Sequence, residues 1–339
     1  MKDSKPTSLD IAHLAGVSQP TVSRALRNSP LVSKETREKI QAIARELNYK
    51  VDVNASNLRS QSTKTLALLL CEDPGDSMIN PFFLSMLGSI TRAAAKEGYD
   101  LLVSFQQLSE DWRADYEDAN KANGIIFLGY GDYTQYIDRI SRLDQAGAHF
   151  ITWGPVVPGQ PGHFLGCDNT LGAYEATQHL IQLGRKHIAF IGDTSDDCPE
   201  FQDRYRGYLK ALSEHGLKYN QQLHASANST ETMGFDATQT ILERTEPFDS
   251  VFCCSDLMAI GTIQCLRENG YSVPDDIAVV GFDDIPTASH MTPPLTTVQQ
   301  DTIKAGELLV ENILSLINGE HIESRLLPPQ LIIRKSCGS

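Results

Sequence analysis

The stretch AGVSQPTVSRAL, residues 15–26, sets Ser18, Gln19, Pro20, Thr21, Ser23 and Arg24 close together. These side chains carry amide, hydroxyl, guanidinium and ring methylene groups. None is a general base, so their chemistry is hydrogen bonding and apolar contact, not bond making. A glutamine amide can pair with adenine, an arginine fork with guanine, and a proline ring can lie against a thymine methyl.

Elsewhere the sequence holds no partnered nucleophile. There is no GxxxxGK[ST] loop, no HExxH pair and no GxSxG elbow, and the nine histidines show no metal-ligand spacing. No metal, no cofactor and no enzymatic activity are therefore expected. GYGDYT at 129–134 resembles a fragment of a nucleotide loop but lacks its third glycine. The seven cysteines are odd in number, scattered and free of any CxxC pair, which predicts reduced thiols. Cys253 and Cys254 sit in an apolar run and are expected in the core.

The elements that hold the first cluster can be read from its flanks. Thr7 and Asp10 fit a capping pattern, Ile11, Leu14 and Ala15 form an apolar stripe, and Gly16 can end the helix in a left-handed conformation. Ser18 then fits as N-cap of a second helix, which places Pro20 in the first turn, where a missing N–H costs nothing. Val22, Ala25 and Leu26 face inward. A third helix starts after Ser33 with Thr36, Ile40, Ile43, Ala44 and Leu47 on one face. Two short helices joined by a tight turn and braced by a third describe a helix-turn-helix unit, whose second helix enters the DNA major groove.

Charge agrees with that division. The chain carries a net charge of −14, yet residues 1–63 hold ten Lys/Arg against six acids, a local +4 on a body of −18. A basic head suits a polyanion at one end while the body repels it. No apolar run approaches the roughly 18 residues of a membrane span. The opening MKDSKPTS lacks the apolar stretch of a secretory signal, so a cytoplasmic location is expected.

The run LDIAHLAGVSQPTVSRAL with VSKETREKIQAIARELNY resembles the lac-repressor (LacI/GalR) family of bacterial transcription regulators. The resemblance implies a homodimer on a pseudo-palindromic double-stranded operator. It puts Gln19 and Pro20 at the specificity positions and Arg24 at the base-contacting arginine, with Ser18, Thr21, Ser23, Arg27 and Ser33 completing the DNA-binding set. Residues 50–63, KVDVNASNLRSQST, read alone as a polar linker. The resemblance implies a hinge helix formed on DNA, with Leu58 as a minor-groove wedge; by residue type Leu58 is an exposed tether leucine. Val51, Asp52 and Ser56 stand where the family commonly has proline, asparagine and arginine.

From Lys64, short apolar runs alternate with helical patterns. Strands are predicted at 66–70, 101–104, 124–128, 149–153, 188–191, 250–254 and 277–281, with helices between them such as 82–97, 171–183, 203–215, 234–244 and 257–269. Such alternation predicts parallel sheets covered by helices. The expected fold is an all-α headpiece, residues 1–49, a linker, 50–63, and an α/β effector domain, 64–339, of two doubly wound parallel-sheet subdomains with boundaries near 168 and 297. A cleft between their strand ends would bind a ligand.

NPFF at 80–83, GCDNTLGAYEATQHLIQLG at 166–184, DRYRGYLKAL at 203–212, SDLMAIG at 255–261 and VPDDIAVVGFDDIP also match the family's running pattern. The resemblance implies a periplasmic-binding-protein-like body whose chain crosses between subdomains three times. It also implies an effector site of Phe82, Phe83, Asp168, Arg204, Ser255 and Asp283. One of the two phenylalanines is expected in the core and the other at the ligand. Read alone, Asp283–Asp284 is a turn former, and Asp284 is expected to serve structure. Leu128 and Ser255 stand where sugar-responsive relatives carry polar groups, which predicts a less polar cleft. The tail LLPPQLIIRKSCGS reads as one final strand and a short tail. The function implied is a repressor controlled by a small effector, a sugar or sugar derivative. The alternative is a periplasmic-type solute-binding protein, which has no use for a basic head.

Overall fold

The structure, a computed structural model, describes residues 6–49, 63–71, 80–105, 111–129 and 133–339. Leu58, Val51, Asp52 and Ser56 lie outside the described residues, as do residues 130–132 of GYGDYT. The chain divides into two compact units, Met1–Thr63 and Lys64–Ser339.

The first unit is built of α1 (Ser8–Ala15), α2 (Gln19–Leu26) and α3 (Lys34–Glu46). Thr7 caps α1 through a reciprocal box: its hydroxyl accepts the Asp10 amide, and the Asp10 carboxylate accepts the Thr7 amide at 2.7 Å. Gly16, at φ +69°, turns the chain out of α1. Ser18 occupies the N-cap of α2, but its hydroxyl bonds the Thr21 hydroxyl at 2.9 Å and no backbone amide. The Ser33 hydroxyl accepts the Thr36 amide and caps α3. Ile11, Ala12, Ala15, Val22, Ala25, Val32, Ile40 and Ala44 close a small core. The predicted stripe is corrected at one place: Leu14 is 56% exposed, and Ala12 takes the inward position beside Ile11 and Ala15. Lys39 on α3 donates to the Ala15 carbonyl at 3.0 Å, binding an orphan carbonyl at the end of α1.

The second unit carries two six-stranded sheets. In the first, β1 (Thr65–Leu70) lies between β2 (Asp100–Phe105) and β3 (Gly124–Leu128), followed by β4 (Phe150–Trp153), β5 (Phe164–Cys167) and, at the far edge, β11 (Arg325–Leu327). In the second, β8 (Ser250–Cys253) lies between β6 (Ile188–Ile191) and β9 (Ala278–Asp283), with β7 (His224–Ala225) outside β6, and β10 (Thr296–Gln299) and β12 (Gln330–Ile332) outside β9. Every pairing is parallel except that of β10 with β12. Strands buried on both faces need continuous apolar runs, as in TLALLL and AVVGFD.

Seven α-helices accompany the sheets among the described residues: α4 (Pro81–Lys96), α5 (Tyr133–Gln145), α6 (Asn169–Gln182), α7 (Pro199–Glu214), α8 (Glu231–Glu243), α9 (Asp256–Glu268) and α10 (Thr302–Ile317). The chain passes from the first sheet to the second after β5, returns after β10 through α10, and crosses again between β11 and β12. The expectation of one terminal strand is corrected here. Pro328 and Pro329 interrupt the ladder, so the tail supplies a short strand to each sheet. The apolar-run criterion also passed over β5, β7 and β10. β10 reads TTVQ, yet Thr296 and Thr297 are fully buried.

Helix starts gather at the strand ends. Asn80 caps α4, Asp168 α6, Thr230 α8, Ser255 α9 and Asp301 α10, each through its side-chain oxygen. Helix α7 packs directly against α6 because Gly207 has no Cβ; one would run into the Thr170 carbonyl oxygen. That close approach fixes the depth at which α7 presents its side chains. No helix of the described residues is long and apolar enough to cross a membrane.

Candidate DNA-binding surface and effector cleft

On the headpiece, Ser18, Pro20, Arg24, Arg27 and Ser33 are exposed, and Gln19, Thr21 and Ser23 are partly so. All eight expected residues of this unit therefore reach solvent. Gln19 donates its amide to the Ser8 hydroxyl at 2.9 Å, which ties the start of α2 to the start of α1 and orients the amide. Arg27 folds back on the preceding turn, its guanidinium donating to the Ser23 hydroxyl at 2.7 Å and the Ser23 carbonyl at 3.2 Å. Arg24 makes no hydrogen bond or ion pair within the headpiece among the described residues. It is the cation the helix leaves available for a base edge.

In the second unit, the expected residues divide into a buried knot and a set of caps. Arg204, on α7, is 1% exposed. Its Nε donates to Asn169 Oδ1 at 2.8 Å, and an Nη donates to the Cys254 carbonyl. The guanidinium lies 3.8 Å from the centre of the Phe282 ring and pairs with Asp283 at 3.7 Å. Arg204 and Asp283 are thus brought together, with α6, β8 and β9 all tied to one guanidinium. Burial pushes the neighbouring Cys167 thiol up to about 12 although Arg204 pulls it down. Cys253 and Cys254 lie fully buried beside this knot, in the core.

Asp168 accepts the Leu171 amide at 2.9 Å, and the Ser255 hydroxyl accepts the Met258 amide at 3.2 Å. Both serve as helix caps. Phe82 and Phe83 are each 1% exposed and meet edge to face, 5.1 Å apart. The expectation that one ring stays open is corrected, because Pro81 and Asn80 start α4 such that both rings turn into the first sheet's core. Phe82 also packs on Trp153, with centroids 6.2 Å apart.

Asp283 and Asp284 hold φ of +119° and +53°, a backbone conformation that residues other than glycine rarely adopt. Side-chain anchors keep them there. Gln300 donates to Asp283 at 2.7 Å; Gln299 and Arg334 donate to Asp284 at 2.8 and 2.7 Å. Asp284 is structural, as its turn suggested.

A pocket opens at the carboxyl ends of β1, β3 and β4, where doubly wound sheets bind ligands. Phe127, Leu128, Ile140, Trp153 and Phe164 are among the large apolar residues of its wall. Glu200 reaches into it from α7, on the other side of the cleft; a Cβ built on Gly154 would lie 3.7 Å from its Oε1. Burial pushes the Glu200 carboxyl up to about 7, against its own backbone amide and Arg204, which lower it, while Asp203 adds to the rise. A second link across the cleft joins Asn80 Nδ2 to Ser229 Oγ at 3.2 Å. Glu200, Trp153 and Asn169 were not singled out from sequence. Glu200 sits one helical turn before Arg204, so the i, i+4 spacing would have placed it on the same face.

Residues 7–52 match the family of bacterial regulatory proteins, lacI family, and residues 177–337 match the periplasmic binding protein-like domain. The transcriptional regulator RegA of Clostridium saccharobutylicum is 31% identical over 334 residues, covering 96% of this chain and 98% of that protein. CelR of Thermobifida fusca is 31% identical over 339 residues, 98% of each chain. Among solved structures, a CelR–cellobiose complex superposes with a TM-score of 0.73 at 30% identity, covering 98% of this chain and 99% of that one. The lac repressor dimer bound to operator and the anti-inducer ONPF gives 0.85 at 26% identity, with the same coverage. These relatives are transcriptional regulators. The chain belongs to the lacI family of bacterial regulatory proteins and is a helix-turn-helix, DNA-binding transcriptional regulator.

Proposed function

We propose that this regulator acts in the cytoplasm as a repressor, that a homodimer engages a pseudo-palindromic operator, and that a sugar bound between the two sheets sets its operator affinity. The observation that carries the effector site is the approach of Glu200 to Gly154, which places residues of both subdomains on one apolar pocket. A ligand there contacts both subdomains at once, so its binding energy depends on the angle between them. The CelR–cellobiose complex supports a sugar as ligand class.

Base reading falls to Gln19, Pro20 and Arg24, and phosphate contacts to Ser18, Thr21, Ser23, Arg27 and Ser33. A dimer doubles this surface and spaces it by about one helical turn of DNA. The edge strand β2 supports self-association, because Leu102, Val103 and Phe105 are exposed at 38%, 44% and 56%. The lac repressor structure is likewise that of a dimer on operator. Leu58, in the linker, is the wedge of this scheme.

The test is a gel-shift titration of promoter fragments from the protein's own genome, run with and without sugars, beside sedimentation of the free protein. A specific duplex retarded by a dimer, with a midpoint that moves on adding one sugar, is the expected result. A monomer that binds every duplex equally at all sugar concentrations overturns it.

A further inference from the structure

We propose that Glu200 sets the ligand class of the cleft: an uncharged, hydroxyl-bearing sugar in preference to one carrying a phosphate or a carboxylate. The proposal rests on the cleft being the effector site.

Among the described residues that line the pocket, Glu200 is the one charged side chain. The wall facing it is aromatic and aliphatic, with Trp153, Phe127 and Phe164, which suits the C–H face of a sugar ring. A Cβ on Gly154 would meet Glu200 Oε1 at 3.7 Å, an ordinary contact, so the carboxylate stands beside the Gly154 backbone at the pocket wall. A carboxylate there accepts hydrogen bonds from hydroxyls and offers none to an anion.

The nearest cation does not reverse this preference. Arg204 is one turn away but 1% exposed, and its charge is matched by Asp283 at 3.7 Å. Other acids add to the negative field. Asp203 lies on the same helix, and Asp168 is close enough to raise the Asp203 carboxyl. An anionic ligand would meet like charge on a water-poor wall, where such repulsion is weakly screened. Glu200 is half-buried, and the loss of water around its carboxyl raises it, which makes the ionised group a strong acceptor once a donor arrives.

The experiment is a thermal-shift and calorimetric comparison on the full chain at pH 8. Neutral sugars (glucose, ribose, cellobiose) are paired with glucose 6-phosphate, ribose 5-phosphate, glucuronate and cellobionate. Stabilisation confined to neutral members is the expected result. Glu200→Gln should weaken the best neutral sugar roughly ten- to hundredfold while narrowing its margin over the charged counterpart. If a phosphorylated or carboxylated sugar binds as tightly as its neutral parent, the role of Glu200 is overturned and the cleft stands as the site. An unchanged ratio in a folded Glu200→Gln protein overturns it equally. If no sugar in either arm shifts melting, the cleft reading itself falls, and this proposal with it.

Discussion

Arg204 Nη1 stands 3.7 Å from Asp283 Oδ1, and both side chains are closed to solvent, 1% and 0% exposed. The pair joins α7 to the end of β9, and the same guanidinium donates to Asn169 and to the Cys254 carbonyl. An arginine at this place is thus a structural bolt of the second sheet.

Removing it should therefore unsettle the fold as well as the ligand response. Arg204→Ala leaves the Asp283 carboxylate buried beside Phe282 without its cation, and breaking such a pair costs about 3–5 kcal/mol. The double variant Arg204→Ala with Asp283→Asn should regain part of that loss. Urea unfolding of the three proteins checks this, and a single variant as stable as the parent would show the pair to be unimportant.

At the headpiece, Arg24→Ala removes an exposed guanidinium with no role in the three-helix core. Its melting temperature should stay within a degree or two of the parent, since such surface changes cost about 0.5 kcal/mol or less. Specific operator affinity should fall by roughly ten- to hundredfold, and the effector response should persist. Footprinting with base-substituted operators then identifies the contacted pair, because the variant loses discrimination at that pair alone.

Much of this could be read from residue types. The caps Thr7 and Ser33, the Gly16 exit and the proline in the first turn of α2 are local devices, and local devices are legible. Long apolar strands such as Leu66–Leu70 and Ile188–Ile191 were equally plain. What escaped depends on partners distant in sequence: β10 is buried although its TTVQ is polar, because β9 and β12 flank it. The orientation of Phe82 and Phe83 could not follow from helical spacing alone, since both faces of the start of α4 are covered. Glu200 was hidden for the same reason, as only the crossing of the chain brings α7 opposite Gly154.

The strained turn at the end of β9 offers a separable prediction. Asp284→Gly accepts φ +53° without strain but loses the bonds from Arg334 and Gln299, so its cost isolates the anchors. It should amount to about 1–3 kcal/mol, as for other charge-assisted hydrogen bonds. Asp284→Asn keeps an acceptor and should lose less. Because Gln299 precedes the crossing into α10 and Arg334 follows β12, both variants should also speed hydrogen exchange at those crossings, and unchanged exchange would count against an anchoring role.

The raised Glu200 carboxyl makes both folding and ligand binding sensitive to pH. Its folded value of about 7 lies above the ordinary 4.5, so the folded chain holds a proton that the unfolded chain releases. That contribution to stability is complete below about 4.5 and is lost as pH rises through 7. Accordingly Glu200→Gln should raise the urea midpoint at pH 8 and leave it unaltered at pH 4. Ligand binding runs the other way. Hydroxyl donors favour the ionised carboxylate, so a neutral sugar expels the proton, and its affinity should climb by up to about tenfold between pH 6 and 8. The charged groups acting on Glu200 are Arg204 and Asp203 on its own helix, and the opposite wall of the pocket brings no charge among the described residues. Asp203→Asn serves as the control, since burial raises the Asp203 carboxyl as well. A pH slope that survives Glu200→Gln and vanishes in Asp203→Asn would move the titrating group from the pocket to the helix surface.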